Sequence, residues 1–324
     1  MSNKVDISLN GQTKWSVCGP TILLVAGMVC LGLSTSSAQI LYVTNGSPDS
    51  ISEYNATTGT SIDPSFITGL GFGASVAVSG SDLYVAQSSN GSTIGEYNAV
   101  TGALMSSSFV SGLQDPEGMT VSGTNLFVTE AIGAVAEFNA NTGVAEHTFS
   151  GDYINGVGAT VYGNMLYATV NGGGGYVAEF NATTGIEVNP TFIAGSYYMT
   201  VSGTDLVAVS ADGPSYIQEY NPTTGTAVGT SLGASYNYQT LAASGTDVYY
   251  TLSMDSYIGE VNTSSGGNNG LFAPDTSEPY SLAYSSLPAP APVPEPGPSI
   301  LVLAGFGGVM LTLVLRRLPP RRCC

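Results

Sequence analysis

Residues 117–143 read EGMTVSGTNLFVTEAIGAVAEFNANTG. Short β-branched and aromatic runs alternate here with Gly- and Asn-bearing turns, the pattern of brief antiparallel strands rather than helices. The stretch predicts a strand at Met119–Val121, a turn at Ser122–Asn125, a strand at Leu126–Thr129, a variable loop and a strand at Val135–Asn139. ANTG then turns the chain into a fourth strand, Ala145–Phe149. Four strands of this length form a small sheet that needs neighbours on both faces.

The neighbours are copies of the same unit. The glutamate of VAEFN recurs as Glu53, Glu96, Glu137, Glu179, Glu219 and Glu260, at intervals of 43, 41, 42, 40 and 41 residues. A second motif runs in phase, as VAVSGSDLYVA from Val76, MTVSGTNLFVT from Met119, ATVYGNMLYAT from Ala159, MTVSGTDLVAV from Met199 and LAASGTDVYYT from Leu241. A steady period near 41 with four strands per unit is the pattern of a β-propeller blade. Residues 39–286 hold six such units and leave no room for a seventh. The first unit begins at Ile40 with ILYVT, which corresponds to a second strand, whereas PYSLAY at Pro279–Tyr284 resembles a first strand with nothing after it. The expected fold is therefore all-β: a six-bladed propeller of four-stranded antiparallel blades, closed by a C-terminal strand that pairs into blade one and buries edges that would otherwise aggregate.

The ends read as addresses. Lys4 and Lys14 precede the apolar run Ile22–Leu33, and Ser36 and Ala38 stand at the minus-three and minus-one positions, so residues 1–38 predict a signal peptide cleaved between Ala38 and Gln39. Residues 287–299 form a Pro-rich linker, and residues 300–324 an apolar run, Ile300–Leu315, followed by four arginines. As a helix that run would reach about 24 Å, short but workable across a membrane.

Two resemblances follow from these residues. Val293, Pro294, Glu295 and Pro296, then the apolar segment, then Arg316 and Arg317, resemble the PEP-CTERM sorting signal. That likeness implies an exosortase-like membrane processing enzyme as partner, a Gram-negative cell, transient inner-membrane anchoring through the C-terminal helix and final display at the cell surface or outside it. Blade three is similar to NHL and YVTN-type propeller repeats through Pro116, Gly118, Val121, Gly123, Leu126, Val128, Val135, Phe138 and Gly143. The basic position before the third strand in NHL repeats is absent throughout.

Composition narrows the functions. All six basic residues are terminal: no Lys or Arg lies between residues 15 and 315, where 22 of the 23 acidic residues are found. Nothing there neutralises phosphates, which excludes nucleic acid as a partner. The four cysteines, Cys18, Cys30, Cys323 and Cys324, are terminal too, so core stability comes from packing rather than disulfides.

The candidate chemistry is thin. His147 is the sole histidine and sits on the predicted outer strand of blade three, which cripples His-metal centres and Ser-His-Asp triads. A glutamate present once per blade is spread round a ring and does not converge on one reacting atom. The expectation for it is a carboxylate at a sheet edge or held by backbone N–H groups, ahead of a bound cation. Asn55, Asn181 and Asn262 fit the sugar-acceptor pattern, but a tight turn explains all six copies.

The reading is a noncatalytic binding or extracellular-matrix module without cofactor, with exopolysaccharide or surface proteins as the partners suited to its aromatic and Ser/Asn-rich loops. The alternative is a calcium-dependent, lactonase-like propeller hydrolase, with Asp115, Glu117, Glu130, Asp152 and Asp212 as channel-facing loop acids.

Overall fold

The computed structural model describes residues 38–287, apart from positions 47–48, 72, 88–91, 132–134, 150–155, 171–174, 211–214, 235–237, 253–256 and 275–277, together with the backbone of 300–303 and 311–314. The propeller lies within one compact unit, Ser36–Cys324. Six sheets of four antiparallel strands occupy 38–287, as the repeat period requires.

Blade one joins both ends of the propeller: β1 (Ala38–Gly46), β2 (Asp49–Asn55) and β3 (Ser61–Thr68) follow in order, and β24 (Pro279–Leu287) pairs with β1 on its inner side. Blade two is β4 (Gly73–Ser79), β5 (Asp82–Gln87), β6 (Thr93–Asn98) and β7 (Leu104–Val110). Blade three is β8 (Pro116–Ser122), β9 (Asn125–Glu130), β10 (Val135–Asn139) and β11 (Ala145–Phe149), within a few residues of the bounds read from its sequence. Blade four comprises β12 (Ala159–Tyr162), β13 (Met165–Val170), β14 (Tyr176–Asn181) and β15 (Glu187–Ala194). Blade five comprises β16 (Ser196–Ser202), β17 (Asp205–Ser210), β18 (Tyr216–Tyr220) and β19 (Ala227–Ala234). Blade six comprises β20 (Tyr238–Ser244), β21 (Asp247–Leu252), β22 (Tyr257–Asn262) and β23 (Gly267–Pro274).

The innermost strands β24, β4, β8, β12, β16 and β20 each touch the next, and β20 touches β24, so the ring is closed. The PYSLAY strand is the seal: the β24–β1 register runs from Ala38↔Leu287 to Asn45↔Pro279. The core is divided into six apolar clusters, one at each blade interface. The closing interface, with Leu41, Val43, Tyr54, Tyr249, Ile258 and Ala273, is built like the others.

The repeated motifs make two joints. In the N-x-x-T-G turn the asparagine Oδ1 accepts the backbone N–H groups that follow it, as from Thr57 and Thr58 to Asn55 at 2.9 Å and from Thr183 and Thr184 to Asn181 at 3.0 and 2.9 Å. The glycine that ends the turn has φ near +67°, and in Gly59 an added Cβ would overlap the Phe272 carbonyl of the preceding blade. A turn residue in turn serves as a socket. Tyr42 donates its hydroxyl to the Ala99 carbonyl in blade two, Tyr84 to Ala140 in blade three, Tyr167 to Pro222 in blade five and Tyr249 to Ala56 in blade one, each at 2.6 Å. The second strand of a blade is thus latched to the outer turn of the next. Blades three and five carry Phe127 and Val207 at this position and make no such bond.

One sequence expectation is corrected. Where a C-terminal apolar helix was expected over 300–315, Ile300–Leu303 and Leu311–Val314 form strands β25 and β26, paired antiparallel. The β-branched Ile300, Val302 and Val314 favour strand, and the AGFGG between them disfavours a helix interior. Among the described residues no helix is long and apolar enough to cross a membrane.

Candidate functional site

The six innermost strands enclose a channel. A collar of one residue per blade lines it throughout, Leu282, Val76, Met119, Ala159, Met199 and Leu241, whose side chains also pack into the apolar clusters between blades. These are the first residues of the repeated VAVSG/MTVSG motif, so the repeat itself writes the collar. The collar separates a section of about 200 Å³ from a mouth of about 300 Å³.

The mouth is made by bulges. In blade one the register slips between Thr44 and Asn45 and leaves Tyr280 as the extra residue of β24. In blade three Glu117 is the extra residue between Pro116 and Gly118, and in blade six Gln239 between Tyr238 and Thr240. Blades two and five slip by one residue over Gly73–Val76 and Ser196–Met199. A bulge re-aims a side chain that regular alternation would bury between sheets. Here five bulges deliver Ser75, Glu117, Tyr198, Gln239 and Tyr280 to one opening. Strand-two threonines hold the bulged backbone: Thr44 Oγ1 accepts Ser281 N–H at 2.9 Å, and Thr129 donates to the Gly118 carbonyl at 3.3 Å.

Asp115 and Glu278 precede Pro116 and Pro279 at the start of their inner strands, and both have left-handed backbone, φ 54° and 55°. A residue before proline is normally pushed away from helical conformations, so both positions store strain. Each is held through its carbonyl, by Ala131 N–H at 3.0 Å and Gly46 N–H at 3.1 Å.

The electrostatics are those of an anionic site without a counter-charge. Burial, then the nearby Asp115, raises the Glu117 carboxyl above the usual carboxylate range. Burial also raises Tyr198, and Tyr280 and Glu117 add to the effect. Ser75 and Ser281, 5% and 7% exposed, also line the mouth.

Of the acids expected at the channel, Asp115 and Glu117 line the mouth. Glu130 instead pairs with Pro116 on the neighbouring strand and accepts Gln114 N–H at 3.3 Å, while Asp152 and Asp212 lie outside the described residues. Among the described residues no group of three or more His, Cys, Asp and Glu side chains is placed to hold a metal ion.

The repeated glutamates lie elsewhere, between strands two and four. Each faces the strand-two position that carries the tyrosine latch, as in Tyr42↔Glu53, Tyr84↔Glu96, Tyr167↔Glu179 and Tyr249↔Glu260. The expectation was a carboxylate at a sheet edge or held by backbone N–H groups; at two of them a side-chain amide donates. Asn125 donates to Glu137, and Asn269 to Glu260 at 2.7 Å. Glu53, 7% exposed, stands opposite Asp63 and is raised to about 7, by burial first and Asp63 second.

His147 is exposed on β11, where its ring meets Phe149 at 5.2 Å and covers Gly185 of blade four. Gln39 is fixed in blade one, its carbonyl accepting Ala56 N–H at 2.8 Å and its Oε1 the Thr57 hydroxyl at 2.6 Å, while Ala38 opens β1. Val293, Pro294, Glu295, Pro296, Arg316 and Arg317 lie outside the described residues.

No protein-family model matches the chain, and no curated protein matches it. Solved structures do. A chain of the nidogen/laminin complex is similar at 15% identity and TM-score 0.64, over 77% of this chain and 99% of that one. TolB from Acinetobacter baumannii is similar at 15% identity and TM-score 0.61, over 79% and 68%. A chain of hydrazine synthase from Kuenenia stuttgartiensis is similar at 13% identity and TM-score 0.52, over 71% and 75%. At these identities the likeness is one of fold.

Proposed function

We propose that this chain is an exported, noncatalytic binding propeller that receives its ligand at the bulged mouth of the channel. The carrying observation is that five blades each depart from regular pairing at the same end, and the displaced side chains meet at one opening. Bulges cost ladder hydrogen bonds, and a purely structural ring has no use for five of them in register.

The mouth offers acceptors, hydroxyls and aromatic faces but no assembled nucleophile–base pair. Among the described residues Glu117 and Asp115 are the carboxylates lining it, and no histidine, cysteine or lysine lines it. The nidogen structure is of a complex with laminin, which supports a binding use for this fold; hydrazine synthase is a reminder that the fold alone does not decide catalysis.

Export is part of the proposal. The signal-like residues 1–38 end where the first blade begins, and cleavage after Ala38 would leave Gln39, the residue tied to Ala56 and Thr57, at the new terminus. The order Val293–Pro296, apolar segment, Arg316–Arg317 supports sorting by an exosortase-like enzyme. An intact-mass measurement of the native surface form tests this: masses lacking the N-terminal segment and the arginine tail are expected, and a full-length mass overturns it.

Binding is tested by retaining the full chain on the surface polymer and protein fraction of the producing cell, beside a Glu117→Ala/Tyr198→Ala/Gln239→Ala variant with an unchanged melting temperature. Retention lost with the variant is the expected result. Equal retention of both proteins, or calcium-dependent turnover of lactones by the purified chain, overturns the reading.

A further inference from the structure

We infer that the mouth above the collar is a terminal-sugar site, which takes the end of a neutral glycan and excludes acidic ones. This rests on the reading of the mouth as a binding site and names what it binds.

The shape limits the ligand to one unit. The collar of Leu282, Val76, Met119, Ala159, Met199 and Leu241 floors the mouth, and about 300 Å³ lies above it, at the small end of the range for ligand pockets. A chain molecule enters end-on, and its last ring rests over the collar.

The chemistry matches a ring with one apolar face and a rim of hydroxyls. Tyr198 and Tyr280 supply flat apolar surfaces with polar tips, suited to the C–H face of a pyranose. Asp115 and Glu117 only accept hydrogen bonds when ionised, and Gln239 both donates and accepts, so together they serve a ligand rich in O–H donors. Ser75 and Ser281 add hydroxyls at the mouth that both donate and accept.

Charge sets the selectivity. No Lys or Arg occurs between residues 15 and 315, so a uronate, sulfate or phosphate meets two carboxylates and no cation. A small cation would satisfy the carboxylates but leave the serines, Gln239 and the tyrosine faces unused, which favours the neutral sugar.

The test uses the full chain and saturation-transfer NMR with titration calorimetry. Probes are the methyl glycosides of glucose, galactose and mannose, N-acetylglucosamine, glucuronate and methylammonium. At least one neutral pyranose is expected to bind, with glucuronate at least tenfold weaker. Tyr280→Ala and Gln239→Ala should each weaken that binding about tenfold at unchanged melting temperature. Either variant suffices if the other does not fold, since both side chains stand on bulges.

Three results overturn the inference: no neutral pyranose bound, methylammonium or glucuronate bound as tightly, or binding indifferent to both variants. If the sugars fail while the triple variant still abolishes retention on the surface fraction, only the ligand class falls. If retention also ignores the triple variant, the mouth itself is the wrong place.

Discussion

The seam between blades six and one and the seam between blades five and six do the same task with different parts. At the first, where the two ends of the propeller chain meet, Tyr249 donates to the Ala56 carbonyl at 2.6 Å and its ring lies 5.1 Å from Phe272. Gly59 fits beneath the Phe272 carbonyl with no room for a methyl group. At the second, Val207 takes the place of the latch tyrosine, and the polar link is a lighter one, from Ser202 Oγ to the Gly245 carbonyl at 2.9 Å. A Cβ added at the turn glycine there, Gly266, would meet only Leu232 Cδ2 at 3.9 Å among the described residues. The difference follows the residue at the latch position rather than chain connection: the chain-joined seams one–two, two–three and four–five carry the same tyrosine latch as the closing seam, and Val207 has no hydroxyl to offer.

Five changes break or sharpen that contrast. Deleting residues 279–287 removes the inner strand of blade one and opens the ring; loss of the cooperative melting transition and aggregation are expected, and an unchanged melting curve would refute closure. Gly59→Ala forces an L-residue to φ +67° against the Phe272 carbonyl and should cost about 2–4 kcal/mol, measured by denaturant unfolding. Gly266→Ala, with the same φ of +69° but an open surrounding, should cost only the conformational share, about 1 kcal/mol.

Tyr249→Phe leaves a buried carbonyl unpaired at the closing seam and should cost about 1–3 kcal/mol, against about 0.5–1.5 for Ser202→Ala at the looser one. Equal losses would show that the two seams share the load evenly.

The smallest effect concerns pH. The folded protein holds the Glu53 proton up to about 7, above the unfolded value of 4.5, so within that window the native state binds more protons than the unfolded one. Stability from this group is full below about pH 4.5 and is lost as pH rises through 7. Glu53→Gln should flatten that fall and leave the variant more stable than the parent above pH 7, by about 1–2 kcal/mol, in melts taken from pH 4 to 8.

How much of this was legible in sequence follows from distance along the chain. The blade, its four strands and the closing PYSLAY strand were readable because each is a local pattern repeated at a fixed period. The collar was readable in principle as well, since its six residues open the same motif. The latch was not: Tyr42 is visible in ILYVT, but its acceptor lies 57 residues on, in a turn with its own local explanation. The mouth was hidden for a different reason. A bulge is a mismatch between two strands, and Glu117, Gln239 and Tyr280 share no residue type that would mark them as equivalent. Asp115 and Glu117 were singled out as loop acids for a metal, whereas the structure makes Glu117 a bulge residue within β8. The expected C-terminal helix failed because apolarity was weighed ahead of β-branching and glycine.

The pairing of Ala38 with Leu287 has a geometric consequence for display. β1 runs toward the mouth and β24 away from it, so the polypeptide enters and leaves the ring side by side on the face opposite Tyr280. A tether joined directly at either of these two residues would therefore meet the ring on the side away from the bulged side chains.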